Sequence, residues 1–263
     1  MALYERGEVG DQPGMEPAQE IKTMPRSSSA KPKRSKAEQR AESREQILDG
    51  AEYLFSQRGF YGVTLKDVAQ QVGVHTSLLH YYFDDKRGLF EAVVDRRASV
   101  TTDRRMKAMD DYETEAGDNV TVEGALHAFL DTDLDLYLNG GEGLRNYAAM
   151  GAQIANTVEG GEVFNDHFDR VVLRLTDLLK KAMPDAADED IFWGYHFVNA
   201  GLMATMSRTR RIDKLSGGIC RLDDYAAVQS RMAPFMAAGF IAICRERAQA
   251  RSADSATPKP RPA

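Results

Sequence analysis

The feature that most constrains the fold is the segment TLKDVAQQVGVHTSLLHYYF, residues 64–83, in which one glycine separates two short apolar patterns. Thr64 suits the N-cap of a first helix, and Asp67 follows at the spacing of a capping box. Gly73 ends that helix, because glycine adopts a left-handed backbone without steric cost. A second short helix is predicted to follow, up to about Tyr82. Two short helices joined by a tight glycine-containing turn form a helix-turn-helix.

The second helix starts at about His75 and combines an apolar side with short polar tips. In a helix-turn-helix the second helix enters the major groove of DNA, where its first residues read base edges. Histidine, serine and threonine donate and accept hydrogen bonds, as base recognition requires. Leu78 or Leu79 would anchor the helix inward. The pattern therefore predicts base contacts from His75, Thr76 and Ser77.

Two nearby side chains suit contacts with the phosphate backbone instead. Tyr81 carries a hydroxyl on an apolar body. Lys86 stands beside the N-terminus of the next helix, where free N–H groups and positive charge both favour phosphate. For Tyr82 and Phe83 the same pattern favours packing.

The rest of the chain shows helical periodicity and no strand pattern, so the predicted fold class is all-α. Ile47, Ala51 and Leu54, for example, share one face of the first helix. Residues 110–120 are acidic and contain glycine and asparagine, which is typical of a loop. Helices are predicted over residues 37–58, 84–109, 122–138, 142–156, 162–183, 188–208 and 223–250, the last one kinked at Pro234.

Composition divides the chain into four segments. Residues 1–36 hold glycine, proline and a serine run but few large apolar residues, which predicts a disordered arm with a basic end. Residues 37–86 are the predicted three-helix helix-turn-helix head, and residues 87–251 a larger helical bundle. Residues 252–263 carry three prolines and no apolar anchor, which predicts a disordered tail.

The net charge of −6 alone argues against a nucleic-acid-binding protein, but the charge is uneven along the chain. Residues 22–107 carry 17 basic against 11 acidic side chains, whereas residues 108–263 carry 16 against 24. A basic segment followed by an acidic body indicates separate functions in the two regions.

Several spaced signatures agree, in order, with one family. The segment TLKDVA (64–69) is followed by a Gly-Val pair, then by LHYYF (79–83) and DKRGL (85–89). Over about residues 40–95 the chain closely resembles the DNA-binding head of the TetR (tetracycline repressor) family. The resemblance implies an all-helical homodimer with a larger C-terminal domain for effector binding and dimerisation, here residues 87–251.

The resemblance also implies roles for individual positions. Thr64, Tyr81 and Lys86 would contact phosphates. His80 would join the base readers, but the family more often has tyrosine there, so which of His80, Tyr81 and Tyr82 points at DNA stays open. The complete predicted DNA-binding set is Thr64, Lys66, His75, Thr76, Ser77, His80, Tyr81 and Lys86.

The C-terminal half resembles, more weakly, a branch of the family that regulates fatty-acid or acyl-CoA-type metabolism. Its helices are rich in aromatic residues and methionine, which suit a pocket between facing helices, although ordinary core packing competes for each side chain. The predicted effector is a small apolar or acyl-type molecule, such as an acyl-CoA, a fatty acid or an aromatic compound. The predicted contacts are Phe129, Tyr147, Met150, Phe168, Trp193 and Phe197.

The last two long helices are the predicted dimer interface, with packing within one chain as the alternative. Small residues in the final helix would permit close helix approach, and larger apolar residues would supply burial. The small residues are Ala233, Ala237, Ala238, Gly239 and Ala242, and the larger ones include Met232, Phe235 and Met236.

These features predict a ligand-responsive transcriptional repressor that binds a palindromic double-stranded DNA operator as a homodimer and is released by its effector. Two alternatives stay open: a helical enzyme with an incidental helix-turn-helix, and a nonspecific DNA-binding protein. The sequence contains no GxSxG, no phosphate-binding loop and no dinucleotide fingerprint after a strand, so no catalytic residue and no cofactor is predicted.

The histidines, cysteines and apolar runs of the sequence indicate no metal site and no membrane span. His127 and Asp131 share a helix face, but no HExxH or Cys/His cluster accompanies them, so no metal is predicted. Cys220 and Cys244 form no CxxC pair, which favours a reducing cytoplasm. No apolar run approaching about 18 residues and no secretion signal are evident, so the protein is expected to be cytoplasmic, without a membrane span.

Overall fold

The computed structural model describes residues 35–154, 157–207 and 209–256, and within those ranges the chain forms helices and no strand. The predicted N-terminal arm, apart from its last two residues, lies outside the described part. The helices are α1 (Lys36–Arg58), α2 (Leu65–Val72), α3 (Thr76–Phe83), α4 (Lys86–Ala116), α5 (Val122–Asn139), α6 (Gly141–Ile154), α7 (Val158–Ala182), α8 (Asp188–Met206), α9 (Arg211–Leu215) and α10 (Tyr225–Ala256). The prediction of an all-α fold is confirmed.

Helices α1 to α3 form the head, which folds around one apolar cluster. The predicted inward face of α1 is buried, including Ile47, Ala51 and Phe55. The Phe55 ring meets the Phe90 ring edge to face at 5.2 Å, so the start of α4 closes the same core. Such aromatic pairs add about 0.5–1.5 kcal/mol beyond the area that they bury.

Helix α6 also belongs to the head core, although it lies far along the chain. Tyr147, Met150 and Ile154 of α6 are buried in the same cluster as the residues of α1 and α4. The head is therefore joined to the rest of the molecule by two elements, α4 and α6, rather than by a flexible linker.

Helix α4 has 31 residues and is longer than predicted, because residues 110–116 are helical rather than a loop. Long-range ion pairs hold this last part: Arg174 of α7 bonds Asp110 at 2.8 Å and also reaches Glu113. The loop prediction was wrong there because local composition does not record charges supplied by a distant helix. The turn begins at Gly117, whose φ is 56°.

The body is a bundle of α5, α7, α8 and α10 together with the second half of α4. Its core is a second apolar cluster that includes Phe129, Leu175, Leu202 and Phe240. Helix α5 packs against both α4 and α10 and is central to the bundle.

Several boundaries differ from the sequence-based ones. Helix α7 begins at Val158 rather than at 162, and the short helix α9 was not predicted. At the start of α10 the capping side chain is Asp224, which accepts a hydrogen bond from the Ala227 N–H at 3.1 Å. Asp223, the predicted cap, instead pairs with Arg221 at 2.7 Å. Helix α10 extends to Ala256, into the predicted tail, whose residues 257–263 lie outside the described part.

Helix α10 is an exception to the prediction that no apolar run approaches the length of a membrane span. Residues Tyr225–Arg251 are long and apolar enough to cross a membrane by length and composition, with a mean hydropathy of 1.3 over 18 residues. One such helix is weak evidence of a membrane span. Small apolar residues produce the value, and several of them, including Ala233 and Ala237, are buried against the body core. These two alanines were predicted at the dimer interface, but they pack within their own chain.

Candidate DNA-binding surface and effector cavity

The helix-turn-helix is built by local hydrogen bonds that the sequence encodes. Thr64 Oγ1 accepts the Asp67 N–H at 3.2 Å, and the Thr64 N–H donates back to Asp67 Oδ2 at 2.8 Å. The Thr64 hydroxyl, and then its backbone N–H, lower the pKa of the Asp67 carboxyl. Gly73 ends α2 with a left-handed φ of 73°, which allows the chain to turn directly into α3.

Helix α3 has one buried side and one exposed side. Leu79 and Phe83 are buried in the head core and fix the orientation of the helix. On the other side, His75 and Ser77 are exposed, and the Tyr81 side chain is 65% exposed. Ser77 and Tyr81, one turn apart, are thus exposed on the same side of α3, and His75 is exposed at the N-cap of the helix.

The remaining predicted DNA contacts differ in their exposure and in their hydrogen bonds within the protein. Lys66 is exposed on α2, and Thr76 is half-buried at the start of α3. His80 Nδ1 lies 2.7 Å from the Asp84 carbonyl oxygen. Because a carbonyl only accepts, Nδ1 donates there, and Nε2 of a neutral ring stays free as an acceptor. Lys86 Nζ donates to the Phe60 carbonyl at 3.1 Å and lies 4.3 Å from the Phe60 ring centre.

The three adjacent aromatic residues of α3 differ in exposure and in the contacts that they make. Tyr82 is half-buried and its hydroxyl donates to the Arg40 carbonyl oxygen at 3.3 Å, whereas the neighbouring Tyr81 ring meets it edge to face at 5.2 Å. The side chain that points outward is Tyr81, and Tyr82 and Phe83 pack, as the sequence favoured.

An ion-pair cluster lies where the head meets the body. The Glu52 carboxylate on α1 is 2% exposed and accepts hydrogen bonds from Arg96 at 2.5 Å and from Arg97 at 3.0 Å. Both arginines belong to α4. Gly143 of α6 approaches so closely that an added Cβ would lie 2.4 Å from Arg97 Nη2. A side chain at this position would therefore displace the Arg97 guanidinium from its place beside Glu52.

The body contains a cavity of about 200 Å³ between α4, α5, α6, α7 and α8. Its lining combines aromatic rings with a few polar groups, which is typical of a small-molecule site. The principal aromatic residues are Phe129, Tyr137, Tyr147, Phe168 and Tyr195, and the polar residues include Thr101, Arg105, Asp133, Asp169 and Asn199.

Arg105 is the cation among the described lining residues, and it pairs with Asp133. Its Nε donates to Asp133 Oδ1 at 2.5 Å, and its Nη2 contacts the other carboxylate oxygen. The guanidinium carbon lies 5.1 Å from the centre of the Phe129 ring and 5.4 Å from that of Phe168. Burial lowers the pKa of Arg105 to about 10, which still leaves the group protonated at neutral pH.

Three of the six predicted effector contacts line this cavity: Phe129, Tyr147 and Phe168. Met150 lies elsewhere, in the head core, where α6 packs against α1. Trp193 and Phe197 stack on each other on the outer side of α8 and are 52% and 50% exposed. Periodicity alone did not separate the inner from the outer aromatic residues of α8, because both faces carry large apolar side chains.

The sequence analysis missed the charged members of the cavity. Asp133 belongs to a run of alternate acidic residues, Asp131, Asp133 and Asp135, which is typical of a solvated helix face, yet its side chain is 5% exposed. The only signal in the sequence was the placement of an aspartate between Leu130 and Leu134 on the apolar side of α5.

The His127–Asp131 pair forms as the spacing indicated, with Nδ1 2.9 Å from the carboxylate oxygen. Among the residues that the structure describes, no group of three or more His, Cys, Asp or Glu side chains is arranged to hold a metal ion.

The head and the bundle together define the class of helical helix-turn-helix regulatory proteins. Residues 47–93 match the model of the bacterial regulatory proteins of the tetR family, and residues 127–239 match that of the tetracyclin repressor-like C-terminal domain. The chain belongs to the TetR family. The resemblance read from residues 40–95 is thereby confirmed.

A curated relative matches a short part of the chain. The biofilm operon icaADBC HTH-type negative transcriptional regulator IcaR of Staphylococcus aureus is 39% identical over 51 residues, which are 19% of this chain and 27% of that regulator. The matched region thus spans about a quarter of the relative's length.

Two solved structures show the same fold over a larger part of the chain. HlyIIR, a hemolysin II transcriptional regulator, is 15% identical with a TM-score of 0.50, covering 75% of this chain and 98% of that one. A proposed fatty acid metabolism regulator from Clostridium perfringens is 15% identical with a TM-score of 0.50, covering 72% and 97%. At this identity the likeness concerns the fold alone.

Proposed function

We propose that this chain is a ligand-responsive transcriptional repressor that binds a palindromic operator as a homodimer. One observation carries the proposal: α3 buries Leu79 and Phe83 while it exposes Ser77 and Tyr81 on the opposite side and His75 at its N-cap. That arrangement suits a helix whose outer side lies in the major groove. The negative regulation named for IcaR supports repression rather than activation.

The exposed residues divide by chemistry into two groups. His75, Thr76, Ser77 and the free Nε2 of His80 read base edges, because these groups donate or accept at fixed positions. Tyr81 and the cations hold the phosphates. Lys66 is the exposed cation of α2. Lys86 shares its ammonium between the Phe60 carbonyl and a phosphate of the DNA. Thr64, at the start of α2, is a further phosphate contact.

Dimerisation supplies the symmetry that a palindrome needs, with two reading helices about 34–36 Å apart. The proposed interface is the outer surface of α8 and α10, which exposes Trp193, Phe197 and Phe235. Phe235 is 76% exposed, and large exposed aromatic residues are typical of interface anchors. Gly239 and Ala242 on the exposed side of α10 allow the two copies to approach closely.

The effector binds in the cavity of the body and favours a spacing of the two heads that no longer fits the operator. Tyr147 supports this coupling because it both lines the cavity and packs in the head cluster. Because its operator is part of the bacterial DNA, the protein would act in the cytoplasm.

The test is binding of the purified dimer to DNA upstream of its own and neighbouring genes, followed by fluorescence anisotropy at several salt concentrations. Lys66→Ala should weaken binding to all sequences and reduce the salt slope by about 1. His75→Ala should change sequence preference instead. The matched control is Lys107→Ala, an exposed lysine of α4 whose partner is Asp111. Equal binding to operator and random DNA would refute the proposal and favour nonspecific DNA binding.

A further inference from the structure

The cavity in the body is small enough to restrict its occupant. Its volume is about 200 Å³. An apolar cavity of roughly 150 Å³ accommodates benzene, so in proportion this one accommodates a ligand of about eight heavy atoms. A coenzyme A ester is several times larger, and a long acyl chain also exceeds that space. Size alone therefore favours a compact ligand.

The charge of the cavity wall disfavours an anion. Arg105 is the cation among the described lining residues, and Asp133 neutralises it through a contact of both carboxylate oxygens. The Phe129 and Phe168 rings, each little more than 5 Å from the guanidinium, cover it further. Asp169 adds a second carboxylate at the wall. A ligand carboxylate or phosphate would have to compete with Asp133 for Arg105 and would face the charge of Asp169.

One hydroxyl of the cavity lacks a partner. Tyr147 is 6% exposed, and its Oη makes no hydrogen bond to any residue that the structure describes. The nearby Thr101 hydroxyl donates to the Ala98 carbonyl at 3.0 Å, and it forms no hydrogen bond with Tyr147 Oη as donor or acceptor. Burial raises the pKa of Tyr147, so the hydroxyl keeps its proton and acts as a donor. A buried donor without an acceptor costs free energy that a ligand oxygen would recover.

From these three observations we infer that the effector is a compact, uncharged aromatic molecule whose oxygen accepts a hydrogen bond from Tyr147 Oη. The inference rests on the proposed function and names the ligand class of the same site. The ring of the ligand lies among the Phe129, Phe168 and Tyr195 side chains, where offset or edge-to-face contacts are available. Of the three effector classes predicted from the sequence, acyl-CoAs, fatty acids and aromatic compounds, the inference selects the aromatic compounds.

The experiment uses four probes and direct calorimetric titration of the full-length protein, without DNA. Acetophenone is the test ligand, since it is neutral and has one acceptor oxygen. Benzoate has a similar size but a negative charge. α-Methylstyrene has the same shape and lacks the oxygen, and decanoate represents the acyl class. Acetophenone should bind most tightly, with an advantage of up to about tenfold over α-methylstyrene, as one hydrogen bond provides.

Tyr147→Phe is the decisive variant. It removes only the hydroxyl that has no partner, so the protein should remain folded, with an unchanged or higher melting temperature. It should abolish the preference for acetophenone over α-methylstyrene while leaving the affinity for α-methylstyrene unchanged. Tyr53→Phe, an exposed tyrosine of the head, is the matched control and should preserve the preference.

Three outcomes would overturn the inference: benzoate or decanoate binding more tightly than acetophenone, acetophenone failing to bind at millimolar concentration, or Tyr147→Phe retaining the full preference. The last result would mean that water satisfies the hydroxyl. Because operator binding is measured separately, the two proposals fail independently. Specific operator binding without acetophenone binding would reject only the ligand class, and the reverse result would reject only the repressor.

Discussion

Arg97 Nε of the long helix α4 lies 3.0 Å from Glu52 Oε2 of the first head helix. The carboxylate is buried at 2% exposure, and Arg96 contacts the same oxygen at 2.5 Å. Removing a carboxylate from water costs several kcal/mol, and the two guanidinium groups offset that cost. The orientation of the head on α4 therefore depends on this cluster as well as on apolar packing.

Replacement of Glu52 by alanine should lower the free energy of unfolding by roughly 3 kcal/mol, because two arginines lose their buried partner. Urea denaturation followed by circular dichroism measures the loss. The control is Glu45→Ala, whose side chain is 54% exposed and pairs with the same Arg96, and it should cost less than about 1 kcal/mol. Equal losses in the two variants would show that burial of Glu52 does not matter.

Gly143→Ala should destabilise the protein by about 1–3 kcal/mol, the usual cost of overpacking. The added Cβ would lie 2.4 Å from Arg97 Nη2 and 2.9 Å from Glu52 Oε1, so the guanidinium must move. The same substitution in an Arg97→Ala background should cost much less, since the colliding group is absent. Thermal unfolding of the four proteins in this cycle checks the coupling, and strictly additive effects would contradict it.

The stability of the head should depend on pH through Asp67. Hydrogen bonds from Thr64 lower the pKa of this carboxyl in the folded protein below its ordinary value of 3.8. Its contribution is therefore complete above that value and is lost as the pH falls through the lower folded pKa. The stability difference between wild type and Asp67→Asn, measured from pH 3 to 7, should be constant near neutrality and shrink below about pH 4.

Two substitutions at Thr64 test the cause of that dependence. Thr64→Ser keeps the hydroxyl and should retain the pH-dependent difference, whereas Thr64→Val should remove most of it. A difference that stays the same down to pH 3 in the wild-type background would show that the hydrogen bonds do not lower the pKa.

Phe235→Asp should convert the proposed dimer into a monomer. The side chain is 76% exposed within one chain, and a buried unpaired charge at an interface costs several kcal/mol. Sedimentation velocity at micromolar concentration measures the state. Tyr61→Asp changes an equally prominent aromatic residue, 65% exposed in the head, and should leave the dimer intact. A monomeric wild type, or a dimeric Phe235→Asp, would place the interface elsewhere.

The head was predictable because its determinants are local. A cap at Thr64, a left-handed glycine at 73 and the buried positions of α1 are each set by residues a few places apart. The end of α4 was not predictable in this way. Residues 110–116 have the composition of a loop. Two cations of the distant helix α7 hold them in a helix, since Arg174 pairs with Asp110 and Lys181 pairs with Glu113.

The candidate cavity was predictable only in part, for a related reason. Phe129, Tyr147 and Phe168 were found because aromatic residues are common at such sites, but the same argument selected Trp193 and Phe197, which face outward. The Arg105–Asp133 pair was missed because its partners are on different helices, and the position of Asp133 between Leu130 and Leu134 was the only sign of burial in the sequence.

The uninterrupted course of α4 has a mechanical consequence. Lys86 at its first turn and Arg105 at the cavity stand 19 residues apart on one rigid rod, about 28 Å at 1.5 Å per residue. Tilting a rod of that length by about 2° shifts its far end by roughly 1 Å. A displacement too small to notice around a ligand would thus be magnified at the DNA, and in a symmetric pair of subunits the two shifts would add.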